Sequence, residues 1–462
     1  MISIGRGEQE ARSSQTHGDL IPSHEESRRS GFPYGENLNS SPFAGKVNGL
    51  SFLPRFDVNL RDPKHFQSGF PHELFKTLRH EAPIFWHSFP PGMKETQEEG
   101  FWVLTKHADI QAVNRDHERF CAIDGPSLAY TPAMRGQMLV TMDGAAHVRQ
   151  RKLISAGFTP RMIGQLEEQA REWAISIIDR ALERGRCEFV QDVAYPLPMN
   201  MIADIVGIPL EDRDWLFALT NDFIQGGDPG RNLTPEQKAM TQVKMFQYGQ
   251  DLGRRKRENP QDDIWTLLST LEMETDEGER SSLSQTELDF FFMLLILAGS
   301  ETTRNAIALG FLALLEHPDQ LEQLRRDPTL MRSAVEEILR WSSPVAYFAR
   351  RATCDVEIRG VRIAKGQRVT LWYPSGNRDE EAFEDPFRFD IGRWPNPHQA
   401  FGGGGVHFCL GASLARREIT ILFEELLART REVELLAPPR YSVLGIWNPV
   451  TVIPSEIQVR IT

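Results

Sequence analysis

The chain lacks any apolar run of the roughly 18–20 residues that a membrane-spanning helix requires. Its longest clear one, Phe290 to Ala298, is nine residues. The amino terminus has no apolar core of a secretory signal. Cysteine is scarce: Cys121, Cys187, Cys354 and Cys409 are scattered without pairing rhythm. That spacing argues against a disulfide framework and against multi-cysteine zinc or iron–sulfur sites, and it favours a reducing cytoplasm. A basic excess is missing too: 52 Lys and Arg face 64 Asp and Glu, a net charge of −12, which argues against nucleic acid as a partner. There is no internal repeat. Residues 1–48 are poor in apolar side chains and rich in Ser, Gly, Glu and Arg, the composition of a disordered extension.

What is present is a 462-residue chain with 40% hydrophobic residues, enough for a substantial core. From about Phe52 the pattern becomes globular. Residues 71–80 have helical spacing; 84–86 and 101–104 are short aromatic and β-branched runs that read as strands. A capped helix is expected over 105–113. Helical periodicity then dominates 161–185, 199–206, 211–225 and 234–258, with a Gly/Pro-rich break at 226–231. A long helical pattern covers 283–317. Strand-like alternation flanks a tight turn at Arg359-Gly360.

Four stretches carry chemistry. In FGGGGVHFCLGASLARRE, residues 401–418, a glycine run leads to Cys409 and Gly411, and a helical pattern follows. Backbone N–H groups crowding the sulfur and a nearby helix start both favour thiolate. Cys409 is therefore a candidate metal ligand, although a lone cysteine is more often a small buried hydrophobe. His147 and Arg151 stand four apart, on one helical face if helical, where a solvated basic face is the plain alternative. Ala298-Gly299-Ser300-Glu301-Thr302-Thr303 places small residues, an acid and alcohols inside an apolar helix. There polar groups are costly to bury, and the glycine costs roughly 1 kcal/mol of helix stability. Apolar spacing resumes at Ala306, so the helix remains covered on one face and a functional cause is favoured. Glu337 and Arg340 sit three apart, by themselves no more than an ordinary helical ion pair.

Together these stretches resemble the cytochrome P450 family, from about Phe52 to the carboxyl end. The interval from Phe401 to Cys409, eight residues, is one longer than the family's usual one, and the extra residue falls in the glycine run. The resemblance implies a mainly α fold with small β-sheets, a single haem-thiolate domain over 49–462. It implies haem b (iron protoporphyrin IX) ligated by Cys409. Ala298, Gly299 and Gly411 would line the cofactor, and His147, Arg151, Arg350 and His407 would meet its propionates, with Arg351 a competitor for Arg350. Thr302 would hydrogen-bond dioxygen or a water beside it, and Glu301 would relay protons. Glu337, Arg340 and Arg388 would form a structural charge network.

Activity follows by the same resemblance: a monooxygenase that takes two electrons and hydroxylates a C–H bond of a hydrophobic substrate. The electrons would come from NAD(P)H through a ferredoxin reductase and a ferredoxin. Arg149, Lys152, Arg416 and Arg417 would form a basic patch for that acidic donor. The lengthened glycine run, GSETTRNA and IADIVGIPLEDR are similar to bacterial members acting on steroid side chains or methyl-branched lipids. Oxidative tailoring of a terpene or polyketide is the alternative substrate reading. A haem-binding sensor and a peroxide-driven oxygenase are the alternative classes. A cytoplasmic monomer without a membrane span is expected.

Overall fold

The computed structural model describes residues 58–90, 98–129, 134–158, 160–225, 234–274, 280–444, 448 and 452–462. The chain divides between Phe52 and Leu53; the extension expected over 1–48 and the break at 226–231 lie outside the described residues.

A long helix, Gln285–Glu316, runs through the centre. Ser284 starts it with a reciprocal cap: its hydroxyl accepts from Glu287 N at 3.2 Å, and the Glu287 carboxylate accepts from Ser284 N at 2.8 Å. Nineteen of its residues are buried, so it reads as apolar on nearly every side. Around it pack Pro196–Val206, Pro235–Glu258, Met331–Ser342 and Ala412–Arg429. Close approach is permitted by glycine: a Cβ at Gly310 would overlap Ile338, and one at Gly299 would overlap Ile202. Gly299 is thus required in part by contact with a neighbouring helix. Phe311 stacks on Phe189 with ring centroids 3.6 Å apart.

The main sheet has five strands in the order Ile84–Ser88, Gly100–Leu104, Arg368–Trp372, Tyr347–Ala352, Phe120–Cys121. Gly100–Leu104 pairs parallel with Arg368–Trp372, Trp102 opposite Val369; the other pairings are antiparallel. Both central strands are buried along their whole length. Gly100–Leu104 reads accordingly as an apolar run, whereas Arg368–Trp372 carries buried Arg368 and Thr370 between its apolar residues. A smaller sheet joins Val433–Leu435, Gln458–Ile461 and Arg186–Glu188.

The helices expected at 71–80, 161–185, 199–206, 211–225, 234–258 and 283–317 are present within a few residues of those bounds. The helix expected from Thr105 begins instead at His107. Thr105 donates to Pro83 O at 3.1 Å, and the cap comes from far along the chain, where Asp379 accepts from His107 N at 2.8 Å. Arg359 (φ 51°) and Gly360 (φ 77°) form the left-handed turn between Val356–Ile358 and Val361–Ile363. No described helix is long and apolar enough to cross a membrane.

Candidate functional site

A cavity of about 1440 Å³ lies against the middle of the long helix. Its wall joins Cys409 and Gly411 of the glycine-rich loop, Ala298, Gly299 and Thr302 of the helix, His147 and Arg151 of Gly144–Ala156, and Arg350 of the main sheet. His407 lines it as well. Four distant parts of the sequence therefore converge on one space. Arg351, the competitor for Arg350, points elsewhere and pairs with Asp124 and Glu98.

The loop is shaped by its glycines. Gly402 to Gly405 all have positive φ, which a residue with a Cβ rarely adopts. A Cβ at Gly405 would strike Asn114 O, and one at Gly404 would meet Arg115 Nε at 2.9 Å. The run is thus pressed onto the helix His107–Arg115. Cys409 N donates to Phe401 O at 3.1 Å and closes the loop. The Cys409 side chain is exposed to the cavity it lines. Burial pushes its thiol up; the Gly411 N–H, Arg151 and Arg416 pull the other way without reversing it. The loop N–H thus favours the thiolate, as expected, but desolvation outweighs it.

His147 and His407 lie side by side, ring centroids 4.4 Å apart. Burial, with His407 and Arg151 nearby, lowers His147 to about 4, so it is neutral at ordinary pH. Its Nε2 is buried without a hydrogen-bond partner, an unmet polar atom at the cavity wall. Burial also lowers His407, against the hydrogen bond it makes to Asp143 at 3.2 Å. A haem fits these donors. Its two carboxylates suit Arg151, Arg350 and the histidines, its iron suits a single thiolate, and its flat apolar body suits Leu294, Leu295 and Ala298.

Thr302 faces the cavity, its hydroxyl donating to Ala298 O at 2.8 Å. Glu301 does not line it. Its carboxylate is buried on the other side of the helix, paired with Arg304 at 2.7 and 2.8 Å, while Arg304 also donates to Asn305 and lies 5.9 Å from the Tyr195 ring. The expected acid–alcohol pair is adjacent in sequence but divided in space.

The charge network needs one substitution of names. Glu337 and Arg340 are fully buried and joined by two bonds of 2.7 Å. The third member of the network, and the second cation on Glu337, is Arg393, 3.2 Å away; Arg388, the expected member, contributes its backbone carbonyl to Arg340 at 3.1 Å. Arg340 also donates to Asn377 O and Pro386 O at 2.8 Å. The expected basic patch is likewise partly tied up. Arg149 pairs with Glu287, Arg416 with Glu336, and Arg417 with Glu167.

Leu139, Val140, Ile202, Ile205, Phe291, Phe348 and Tyr373 line the cavity too. Phe291 and Phe348 fall in apolar runs that suit a greasy substrate, but such runs suit any core equally, and nothing in the local sequence marked the other five. Another wall residue, Glu418, is buried with Oε2 unpartnered, and burial raises its carboxyl to about 8. A carboxyl with a raised folded-state pKa keeps its proton on folding, so stability is lost as pH climbs toward that value. Between pH ~5 and ~8, Glu418→Gln is expected to gain about 1–3 kcal/mol on wild type. Melting temperatures of both proteins across that range check this; parallel curves would contradict it.

Comparison with known proteins agrees with this architecture. The cytochrome P450 family model matches residues 231–436. A steroid C26-monooxygenase of Rhodococcus jostii is 38% identical over 387 residues, 82% of this chain and 80% of its own. A methyl-branched lipid omega-hydroxylase of Mycobacterium bovis is 40% identical over 375 residues, covering 79% and 86%. Among solved structures, Mycobacterium marinum CYP268A2 in complex with pseudoionone superposes with a TM-score of 0.80 at 34% identity, over 89% of this chain and all of its own. The fold and cavity define a haem-dependent oxygenase. The chain belongs to the cytochrome P450 family and is a monooxygenase acting on hydrophobic substrates with electrons from a redox partner.

Proposed function

We propose that Cys409 binds the haem iron and that this P450 hydroxylates a terminal methyl of a steroid side chain or a methyl-branched lipid. The observation that carries the site assignment is the convergence of Cys409, Thr302, His147, Arg151 and Arg350 on one cavity. The names of the relatives and the apolar wall of Phe291, Leu294, Leu295, Val345 and Phe348 support the substrate class. Arg151, Arg350, His147 and His407 hold the propionates, and Ala298 and Gly299 give the macrocycle a flat apolar bed. When bound, haem supplies dioxygen activation and insertion of one oxygen atom into a C–H bond.

The protein's part is positioning and protons. The Thr302 hydrogen is spent on Ala298 O, so Oγ1 offers lone pairs to the cavity and holds a proton-bearing water there. Glu301 joins that path only by turning off Arg304. Thr302→Ala should keep haem content while product formed per NAD(P)H falls roughly tenfold and peroxide rises, less than the ~10²–10⁴ of a full acid–base group because water remains. Unchanged coupling, measured as product against peroxide, would remove Thr302 from the proton path.

Electrons come from NAD(P)H through a ferredoxin reductase and a ferredoxin, and the enzyme works as a cytoplasmic monomer; four unpaired cysteines suit a reducing compartment. The ferrous–carbonyl spectrum tests thiolate ligation: a strongly red-shifted Soret band is expected, and its absence overturns the assignment. A difference-spectrum titration with sterols, branched fatty acids and terpenes tests the substrate class. Tightest binding of a terpene would redirect it.

A further inference from the structure

Arg416 sits one turn into the helix Ala412–Arg429, where an exposed cation would suit an incoming acidic donor. Its surroundings give it other work. Nε and Nη2 donate to the two oxygens of Glu336 at 2.6 and 2.9 Å, and Nη1 donates to Ala412 O at 3.3 Å. Each of its three nitrogens is engaged within the protein. The flat face of the guanidinium lies over the Phe401 ring, 4.4 Å from its centroid. On the same carboxylate, Glu336 Oε2 accepts from His398 Nε2 at 2.8 Å, and His398 Nδ1 accepts from Ala400 N at 3.2 Å. Those two bonds fix the histidine tautomer. Burial alone would raise Glu336, but the bonds from His398 and Arg416 win and hold it at about 2.

The object these groups surround is Phe401, whose carbonyl accepts from Cys409 N. Seven residues, four of them glycine, separate the two ends of that bond, and glycine loses more backbone freedom on ordering than any other residue. The glycine side of the loop is pinned against Asn114 and Arg115; on the phenylalanine side this stack joins the His398 and Phe408 rings and the edge of the core in holding Phe401. We propose that Arg416 is a positioning residue for Cys409. Braced by Glu336 and His398, it clamps Phe401 and thereby fixes the loop that presents the sulfur, an inference that rests on Cys409 being the haem ligand. A planar, bidentate cation is required for both contacts at once, which lysine does not supply. The inference moves Arg416 from the donor-docking surface to the interior of the loop.

The experiment uses haem-loaded wild type, Arg416→Lys, Glu336→Gln, the double variant, and Phe401→Leu, which removes only the ring beneath the guanidinium. The readout is the rate at which the red-shifted ferrous–carbonyl band gives way to an unshifted one in mild urea, with the KM for the ferredoxin measured alongside. Each single variant should convert about fivefold faster or more. The double should be no faster than its worse parent, because the two groups act as one unit. The donor KM of Glu336→Gln should stay within about twofold of wild type, since the brace faces inward. Wild-type conversion rates in the variants, or an effect of Arg416→Lys confined to donor KM, would overturn the clamp alone. A wild type without the shifted band would remove the thiolate assignment, and the clamp with it.

Discussion

Cys409→Ser is expected to give a folded protein with no red-shifted ferrous–carbonyl band and a turnover below about a hundredth of wild type. Even changes around a metal's outer shell cost 10–100-fold, and this one removes the proposed ligand itself. Serine keeps the volume of the site and the Cys409 N to Phe401 O bond that closes the loop, so the loss should be electronic rather than structural. The measurement pairs the carbonyl spectrum and product assay with a melt of the same sample. A shifted band in the serine variant would mean that the sulfur is not bound to iron.

Glu337→Ala should be nearly as severe by a different route. It strips the buried Arg340 of the carboxylate that takes two of its bonds. An uncompensated buried charge costs about 3–5 kcal/mol, which is much of the roughly 5–15 kcal/mol that holds a typical fold. Little soluble, haem-loaded protein should accumulate. The neighbouring arginines separate the two accounts of the network. Arg393→Ala removes the cation 3.2 Å from Glu337 and should cost about 1–3 kcal/mol. Arg388→Ala keeps the backbone carbonyl that Arg340 uses and should cost less than about 1 kcal/mol. Thermal or urea melts of the two variants rank them, and the reverse order would restore Arg388 to the network.

Those two arginines also show where sequence reasoning stops. Glu337 and Arg340 were legible because three residues along a helix are spatial neighbours. The second cation comes from an irregular segment, where spacing carries no geometry and does not separate Arg388 from Arg393. The helices were legible for the same reason as the first pair: apolar period is a local signal, and Gln285–Glu316 shows it over many turns. The strand Arg368–Trp372 was not read, although Gly100–Leu104 is buried as fully: Phe101 to Leu104 form an unbroken apolar run, whereas Arg368 and Thr370 interrupt the other. Glu301 failed differently. It and Thr302 are successive residues, and successive residues on a helix point about a quarter-turn apart; with Arg304 one turn on to receive it, the acid turns inward while the alcohol meets the cavity. Cys409, His147, Arg151 and Arg350 could be assembled in advance only through family resemblance, since they lie on separate elements.

The parallel pairing of Trp102 with Val369 sets a timetable for biosynthesis. Contacts so distant in sequence close late, after the entropy of a very long loop has been spent. While the ribosome is still making the second half, Phe101, Trp102, Val103 and Leu104 have left it without the neighbour that will shield one edge. An unsatisfied apolar strand edge is a template for self-association. Slower translation, lower growth temperature or added chaperone should therefore raise the soluble yield of this protein more than any change made at its surface.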